Sequence, residues 1–556
     1  MRRAILFLIL LLPGLSCAIQ ITEFCPDPYL PEDPDEYLVI EGNGRLDGII
    51  ISDGEGGFRF PGGSEITGRT IISRNGKAYS RTHGHPPDFE WYDTSPEIPD
   101  VIRAGSLQLS NTRDQLRLYQ DNLLIQEIVW PDDIVARQGQ IHYLEDGVWD
   151  RRPLLIGQSR FVQGVFADVT GSAFVSPDSS FDTYREYVQS ADRVLLVNVY
   201  EFSSISMANE LIDAEKRGVS VTVLLEGGPV GGVSDEEKTV ISYLQEAGIP
   251  VYFISGSSTS PAPYRFDHAK YMVADGERIL LTSENFKPTG FPERGTRGNR
   301  GWGVVIEDPR VADYFTEVFQ YDCGGDWATP ATVRAYKIGE QLPGKRYQSE
   351  FGTLPFTGAS VVPVLAPDTS YLIEEMISGA EESVDIEQAY ITNQSKGSLN
   401  PYLQAAVDAS RRGVRVRVLL DSSYFNVEED CDNDEMVRVL NQLAKDEQLP
   451  LEARCANLRE NNLEKIHTKG VIVDRKSVLV SSINWNTNSP QFNREAGVII
   501  LHPDVAGYFS SVFEDDWNSS DVIPDSETPD LTKIGIATAI VLVLLFYHLS
   551  RRRRYY

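Results

Sequence analysis

A chain of 556 residues that is 41% hydrophobic and 24% charged can bury sizeable cores, which argues against wholesale disorder. Its formal net charge of -30 sets most of the surface against a polyanion, so a general nucleic-acid-binding role would need a local basic site. The same acidity suits a salty medium.

At the start, Met1-Arg2-Arg3, the apolar run Ala4 to Leu15 and then Ser16-Cys17-Ala18 follow the charged, greasy, small-residue order of a secretory signal peptide over residues 1-18. Gly14-Leu15-Ser16-Cys17 fits a lipoprotein box poorly, and cleavage is expected after Ala18. Export permits disulfides, and the mature chain keeps Cys25, Cys323, Cys431 and Cys455. The last two flank one helical stretch and are expected to pair; no two cysteines stand at a zinc-site spacing.

Residues 19-150 are rich in Gly, Pro and Asp between short β-type runs such as Tyr37 to Ile40, Gly48 to Ile51 and Arg69 to Ile72, the pattern of an all-β sandwich. The succession ITEFCPDP, DEYLVIEGNG, ISDGEGGFRFPGG, ITGRTIISRN and DQLRLYQDNLLIQEIVW resembles the lamin-tail domain, which implies an immunoglobulin-like binding or positioning module. It carries no catalytic constellation.

From residue 165 the chain repeats itself. Ser176 to Tyr200 aligns without a gap on Ala366 to Tyr390, each beginning with a Pro-Asp helix-start signal and leading through an amphipathic helix into a strand. Arg217 to Glu226 matches Arg412 to Asp421, each a helix end, a glycine stop and a buried strand. Asn299 to Asp322 against Asn493 to Asp516 gives 13 identities in 24 positions, so duplication is the simplest account. The expected fold is a duplicated α/β unit with pseudo-twofold symmetry, repeat 1 at 165-323, a linker at 324-355 and repeat 2 at 356-520.

Each repeat holds one His-x-Lys-x4-Asp motif: His268, Lys270 and Asp275, then His467, Lys469 and Asp474. In an extended strand, residues two apart share a face, so each imidazole sits beside its own lysine. A lone histidine is more often structural, but two at matching places in a chain of seven histidines are not. Each motif is followed at the same distance by a small-Ser-x-Asn element, Thr282-Ser283-Glu284-Asn285 and Ser481-Ser482-Ile483-Asn484.

These doubled motifs resemble the phospholipase D superfamily, with Thr282 and Ser481 where the family usually has glycine. The resemblance implies an α/β/α unit whose halves present both histidines to one phosphodiester. One imidazole would attack phosphorus and the other protonate the leaving oxygen. The six motif residues would be catalytic, Asn285 and Asn484 would hold phosphate oxygens beside the lysines, and Ser283, Ser482 and Glu495 would support them. It calls for no metal or cofactor. The family's usual order makes His268 the nucleophile. Against that order, Asn493-Arg494-Glu495 supplies the carboxylate that orients a histidine while repeat 1 has Gly301, so His467 reads as the better supported, with Glu284 or Glu293 as substitutes for the missing group. Repeat 1 also carries five extra residues between Asn285 and Asn299, read as a loop near the site.

After a stalk at 521-532, the apolar run at 533-550 and Arg551 to Arg554 read as one transmembrane helix with a cytoplasmic tail at 551-556, although sixteen apolar residues rise only about 24 Å. The ectodomain is then extracytoplasmic at the cell membrane, a monomer with both half-sites in one chain. Three functions follow. The favoured one is a phosphodiesterase or phosphatidyl transferase on membrane phospholipid, cardiolipin synthase-like or a phospholipase; the others are an exported nuclease and a surface binding protein with a vestigial pair. Intact motifs argue against the last, and the short stalk beside the bilayer favours lipid. Whether water or an alcohol takes the covalent intermediate stays open.

Overall fold

The computed structural model describes residues 19–130, 138–145, 147–149, 152, 154–256, 261–334, 345–393, 398–423, 426–427 and 432–520. The expected signal peptide, stalk, membrane helix and tail lie outside them, as does Cys431; Cys25, Cys323 and Cys455 carry free thiols. Among the described residues no helix is long and apolar enough to cross a membrane.

The N-terminal region is built from two antiparallel-rich sheets. In one, Tyr37–Arg45 pairs with Gln20–Cys25 and Glu65–Asn75, flanked by Gln140–Glu145 and Phe89–Tyr92. In the other, Ile49–Ser52 pairs with Gly57–Arg59 and with Asp114–Gln120, which turns back into Leu123–Trp130 through Asp121 and Asn122, both at positive φ as a two-residue hairpin demands. Alternate residues of both sheets, among them Ile21, Leu38, Ile40, Ile51, Leu116 and Leu118, fill one core. A helix, Gly76–His83, interrupts the strands, capped by the Asn75 carboxamide at Ala78 N (2.8 Å) and stopped by left-handed Gly84.

The two repeats form one 15-stranded mixed sheet. Their first strands, Phe166–Ser176 and Leu354–Ala366, pair antiparallel at its centre. Outward from there run Gly301–Glu307, Arg278–Thr282, Lys270–Ala274, Val194–Val199, Ser220–Glu226 and Val251–Ile254 in repeat 1, and Glu495–Leu501, Ser477–Ser481, Lys469–Val473, Ser383–Gln388, Arg415–Leu420 and Leu451–Cys455 in repeat 2. Strands with both faces covered need apolar residues at successive positions, and the run Val223-Leu224-Leu225 meets that need: Leu224 enters the core on one face, Val223 and Leu225 the core on the other. Helices Ser180–Gln189, Ile205–Lys216 and Asp235–Glu246 cover one face of repeat 1 and Pro309–Gly324 the other. The predicted glycine stops, Gly218 and Gly413, both adopt left-handed φ.

The described residues of the predicted linker, 324–334 and 345–355, are tied into the fold. Ala328–Pro330 extends the sheet beside Val251–Ile254, and Glu350 N and Phe351 N donate to Asp178 at 2.7 and 3.2 Å. Repeat 2 begins at Leu354, two residues before its expected start.

Candidate active site

The halves are braced across their interface by two buried arginines in equivalent positions. Arg300 pairs with Asp178 of its own repeat (2.8 Å) and Asp516 of the other (2.7 Å), and Arg494 pairs with Asp368 (2.9 Å) and Asp322 (2.8 Å). Burying a guanidinium is tolerable only because two carboxylates face each one. The backbone of each arginine then fixes the opposite motif: His268 N donates to Arg494 O and His467 N to Arg300 O, both at 2.8 Å.

With their backbones held this way, both imidazoles meet a carboxylate from the other repeat. His268 Nδ1 lies 2.8 Å from Glu495 Oε2. His467 Nδ1 lies 3.3 Å from Glu284 Oε2, within ion-pair range but outside hydrogen-bond alignment. In each pair Nδ1 faces the carboxylate, leaving Nε2 as the ring nitrogen to meet a substrate. Glu495 is itself oriented by Ser482 Oγ (2.6 Å), Asn493 Nδ2 (3.0 Å) and Ser489 Oγ, and Glu284 by Asn299 Nδ2 (2.9 Å).

The crossing corrects the reading of Glu495 as the support of His467: it backs His268, in the other half. It also explains Gly301. A Cβ at Gly301 would lie 2.4 Å from Glu284 Cγ, so glycine stands where repeat 2 has Glu495 because the Glu284 side chain, at the position equivalent to Ile483, already fills that space. Glu293, the other substitute considered, accepts from Ser206 Oγ at 2.9 Å instead.

Lys270 Nζ and Lys469 Nζ donate to the backbone oxygens of their own histidines, at 2.6 and 2.7 Å. Burial pushes Lys270 down to about 8, with Glu495 and Glu201 opposing it, and pushes Lys469 well below the usual lysine range, helped by Lys270. Burial lowers His268, against the pull of Glu495; burial and then Lys465, Lys469 and Lys270 hold His467 far lower. The carboxylates diverge. Burial raises Glu284, whereas His268 and its other partners overcome burial and keep Glu495 below the usual glutamate range. An ionised carboxylate therefore backs His268.

Asn285 Nδ2 donates to Glu201 Oε2 (3.0 Å), and the side-chain oxygens of Asn285 and Asn484 are buried without a partner. Ser283 Oγ accepts from Trp302 N at 3.0 Å, as Ser482 Oγ accepts from Ala496 N at 3.0 Å, and Ser482 Oγ in addition donates to Glu495.

The motif aspartates, expected to be catalytic, are not brought to the histidines. Asp275 and Asp474 lie past the far ends of their strands, five residues or about 16 Å beyond the lysines. Asp275 accepts from the backbone N–H groups of Asp192, Arg193 and Val194 (3.0, 2.7 and 2.9 Å), and Asp474 from those of Glu381, Glu382 and Ser383. Burial works against their ionisation, but these donors outweigh it and lower both carboxyls.

Sequence reasoning missed Tyr200, whose ring meets His268 edge-on at 4.6 Å; its place at the end of the aligned Ser176 to Tyr200 segment was the available signal. Among the described residues one carboxylate group, Glu90, Asp93 and Asp100, has metal-ligand spacing, but it lies in the N-terminal β-region, where Glu90 already accepts from Gly76, Thr94 and Ser95.

The family described as "Cardiolipin synthase, PLD-like domain" matches residues 184–323 and 373–517, just over half the chain. The chain belongs to this family. Both matched stretches contain one histidine-lysine pair and one bracing arginine. Among curated proteins, the chain is 30% identical over 123 residues to the mouse (Mus musculus) mitochondrial cardiolipin hydrolase, covering 22% of this chain and 49% of that protein. The chain spans about half the length or less of the curated relatives it matches. Among solved structures it is similar to the phosphatidylserine synthase of Haemophilus influenzae, with 15% identity, TM-score 0.46, and 68% of this chain and 96% of that one covered. It is also similar to the phospholipase D family member Nuc of Salmonella typhimurium, with 20% identity, TM-score 0.25, and 31% and 99% covered.

Proposed function

We propose that this chain is a phosphodiesterase or phosphatidyl transferase of the phospholipase D type, acting on membrane phospholipid through a phosphohistidine at His268. The observation that supports this reading most directly is the crossed pair of imidazoles, each backed by a carboxylate of the opposite repeat and each beside a buried lysine. His268, against ionised Glu495, is the nucleophile. Its Nε2 forms a bond to phosphorus as the bond to the leaving oxygen breaks, and His467 gives that oxygen a proton. Water or an alcohol then attacks phosphorus, His467 takes its proton, and the P–N bond breaks. Lys270, Lys469, Asn285 and Asn484 hold the non-bridging oxygens as their charge grows.

An exported chain tethered by residues 533-550 would keep this site beside lipid, and the lamin-tail-like β-region would position it. The name of the mouse cardiolipin hydrolase, which the chain matches over about half of that protein, agrees with lipid as substrate. The test is an assay of the purified protein on phospholipid vesicles and on single- and double-stranded DNA, with an acid-quenched sample probed for phosphohistidine. Headgroup release with a labelled His268 peptide is expected. DNA cleavage without headgroup release would replace lipid with nucleic acid, and inactivity on every phosphodiester would leave the vestigial binding protein.

A further inference from the structure

Both histidines stand just ahead of a strand rather than in one, since Lys270–Ala274 and Lys469–Val473 begin two residues after His268 and His467. The aim of each imidazole therefore rests on individual bonds to the segment that carries it. One grip comes from the opposite repeat: each bracing arginine accepts from the histidine N–H and donates its own N–H to the residue two before, Arg494 to Phe266 O (2.9 Å) and Arg300 to Lys465 O (2.8 Å). A second grip comes from the histidine's own repeat, one residue earlier. Asp267 N donates to Glu226 Oε2 and Ile466 N to Asp421 Oδ1, both at 2.6 Å.

Glu226 closes the strand Ser220–Glu226 and Asp421 directly follows Arg415–Leu420, so the two acids hold the same place in the duplicated halves. Each of these strands lies two away from its histidine's strand in the sheet, with Val194–Val199 or Ser383–Gln388 between, so each buried side chain reaches past the end of the intervening strand. Their other partners differ. Glu226 Oε1 accepts from Gly228 N (2.7 Å), whereas Asp421 Oδ2 accepts from Ser423 N (3.0 Å) and Asn426 Nδ2 (2.9 Å). What the halves share is the bond to the residue before the histidine, kept although one repeat uses glutamate and the other aspartate. A carboxylate accepting an N–H makes a charge-assisted bond, roughly twice as strong as a neutral one. Held at the N–H groups of two successive residues, and from opposite repeats, the segment is stopped from rotating about its own axis, the motion that would swing the imidazole.

We propose that Glu226 and Asp421 are positioning residues, Glu226 aiming the His268 imidazole at phosphorus and Asp421 aiming the His467 imidazole at the departing oxygen. The inference rests on the roles given to the two histidines above. Each acid acts through the peptide it holds rather than on the substrate. Misplacing a reacting group by about 1 Å costs about 10²-fold in rate. The two acids serve different parts of one step, so the leaving group separates them. The value of kcat/KM reports the chemistry up to the phosphoenzyme, in which His268 attacks and His467 protonates. An alkyl alcohol needs that proton to depart, whereas p-nitrophenol leaves as a stable anion.

The experiment measures kcat/KM of the full chain on phosphatidyl-p-nitrophenol and phosphatidylglycerol in mixed micelles. A second arm uses the p-nitrophenyl and methyl esters of thymidine phosphate, so that lipid or nucleotide preference does not decide the outcome. Asp421→Leu and Glu226→Met keep the shape of each side chain and remove the acceptor. Asp421→Leu should lose about 10²-fold on the alkyl ester and less than about fivefold on the p-nitrophenyl ester, whereas Glu226→Met should lose about 10²-fold on both. The contrast between esters is a ratio within one sample, so a smaller folded fraction leaves it unmoved. Asp421→Glu and Glu226→Asp, which keep the charge and change its reach, should show the same contrasts and replace a variant that does not fold. Wild-type rates in folded variants, or losses equal on both esters for both acids, overturn this inference alone. The reverse pattern keeps both grips and exchanges the roles of the histidines beneath them. No turnover of any ester by the wild type overturns the inference together with the functional reading.

Discussion

Removing the Glu284 carboxylate and rebuilding it on Gly301 tests the crossed arrangement at its least symmetric point. Glu284→Ile copies the residue of repeat 2 but leaves His467 without a carboxylate and Asn299 Nδ2 without its acceptor. Orientation of a general acid is worth roughly 10²–10⁴ in rate, or about 3 to 5 kcal/mol of barrier, so kcat should fall by that factor. Gly301→Glu alone forces a Cβ to within 2.4 Å of Glu284 Cγ and sets two carboxylates side by side, so it should destabilise the fold and inactivate it. The double variant Glu284→Ile/Gly301→Glu reproduces repeat 2, where Asn493 already holds Glu495 as Asn299 would hold the new glutamate. It should recover to within about tenfold of wild type, since it restores the general-acid support that the single change removes. Steady-state kinetics on one phosphodiester, with thermal melts to confirm folding, decide the matter. A single Glu284→Ile variant at wild-type rate, or a folded double variant no faster than it, would refute the assignment of Glu284 to His467.

His268→Asn and His467→Asn should each lower kcat by several orders of magnitude, and only the second should still accumulate a phosphoenzyme, read by acid-quenched mass spectrometry; activity of the wild type should persist in excess EDTA. Asp275→Asn should cost about 1.5–3 kcal/mol of stability through its charge-assisted bonds while leaving kcat/KM of the folded protein nearly unchanged, measured by denaturant melts and kinetics. Because that carboxyl is lowered in the fold, its contribution is present above the unfolded value near 3.9 and is lost as pH falls through the folded one. The pH profile of kcat/KM should have both limbs below the ordinary histidine value, since burial lowers His268 and lowers His467 further, and the reaction needs one of the two imidazoles neutral and the other protonated. Asp516→Ala strips Arg300 of its cross-repeat partner and should destabilise by about 3–5 kcal/mol, seen as a lower melting temperature.

The duplication, the α/β order, the glycine stops and both histidine-lysine pairs were legible because each is a local pattern stated twice. The carboxylates were not, because sequence alignment places Glu495 beside His467 in one repeat, whereas the arginine braces hand each histidine to the other half. Gly301 read as a missing group with Glu284 or Glu293 offered in its place, and the volume that Gly301 shares with Glu284 selects the first, though for the histidine of the other repeat. The aspartates misled through proximity in the motif, since five residues of extended chain carry them away from the site. The helix at 76–83 lies inside a β-rich composition, where an asparagine cap and a glycine stop are equally the residues of turns.

Trp302 packs over Gly470, where a Cβ would come within 2.3 Å of its ring, and the equivalent positions in the other repeat are Ala496 and Tyr271. Bulk on one side thus answers absence on the other. Two copies of repeat 1 would drive Trp302 against Tyr271, and two copies of repeat 2 would leave Ala496 facing Gly470 across a void. The two halves have in this way become a lock with distinct parts, and this contact no longer fits either half against a copy of itself.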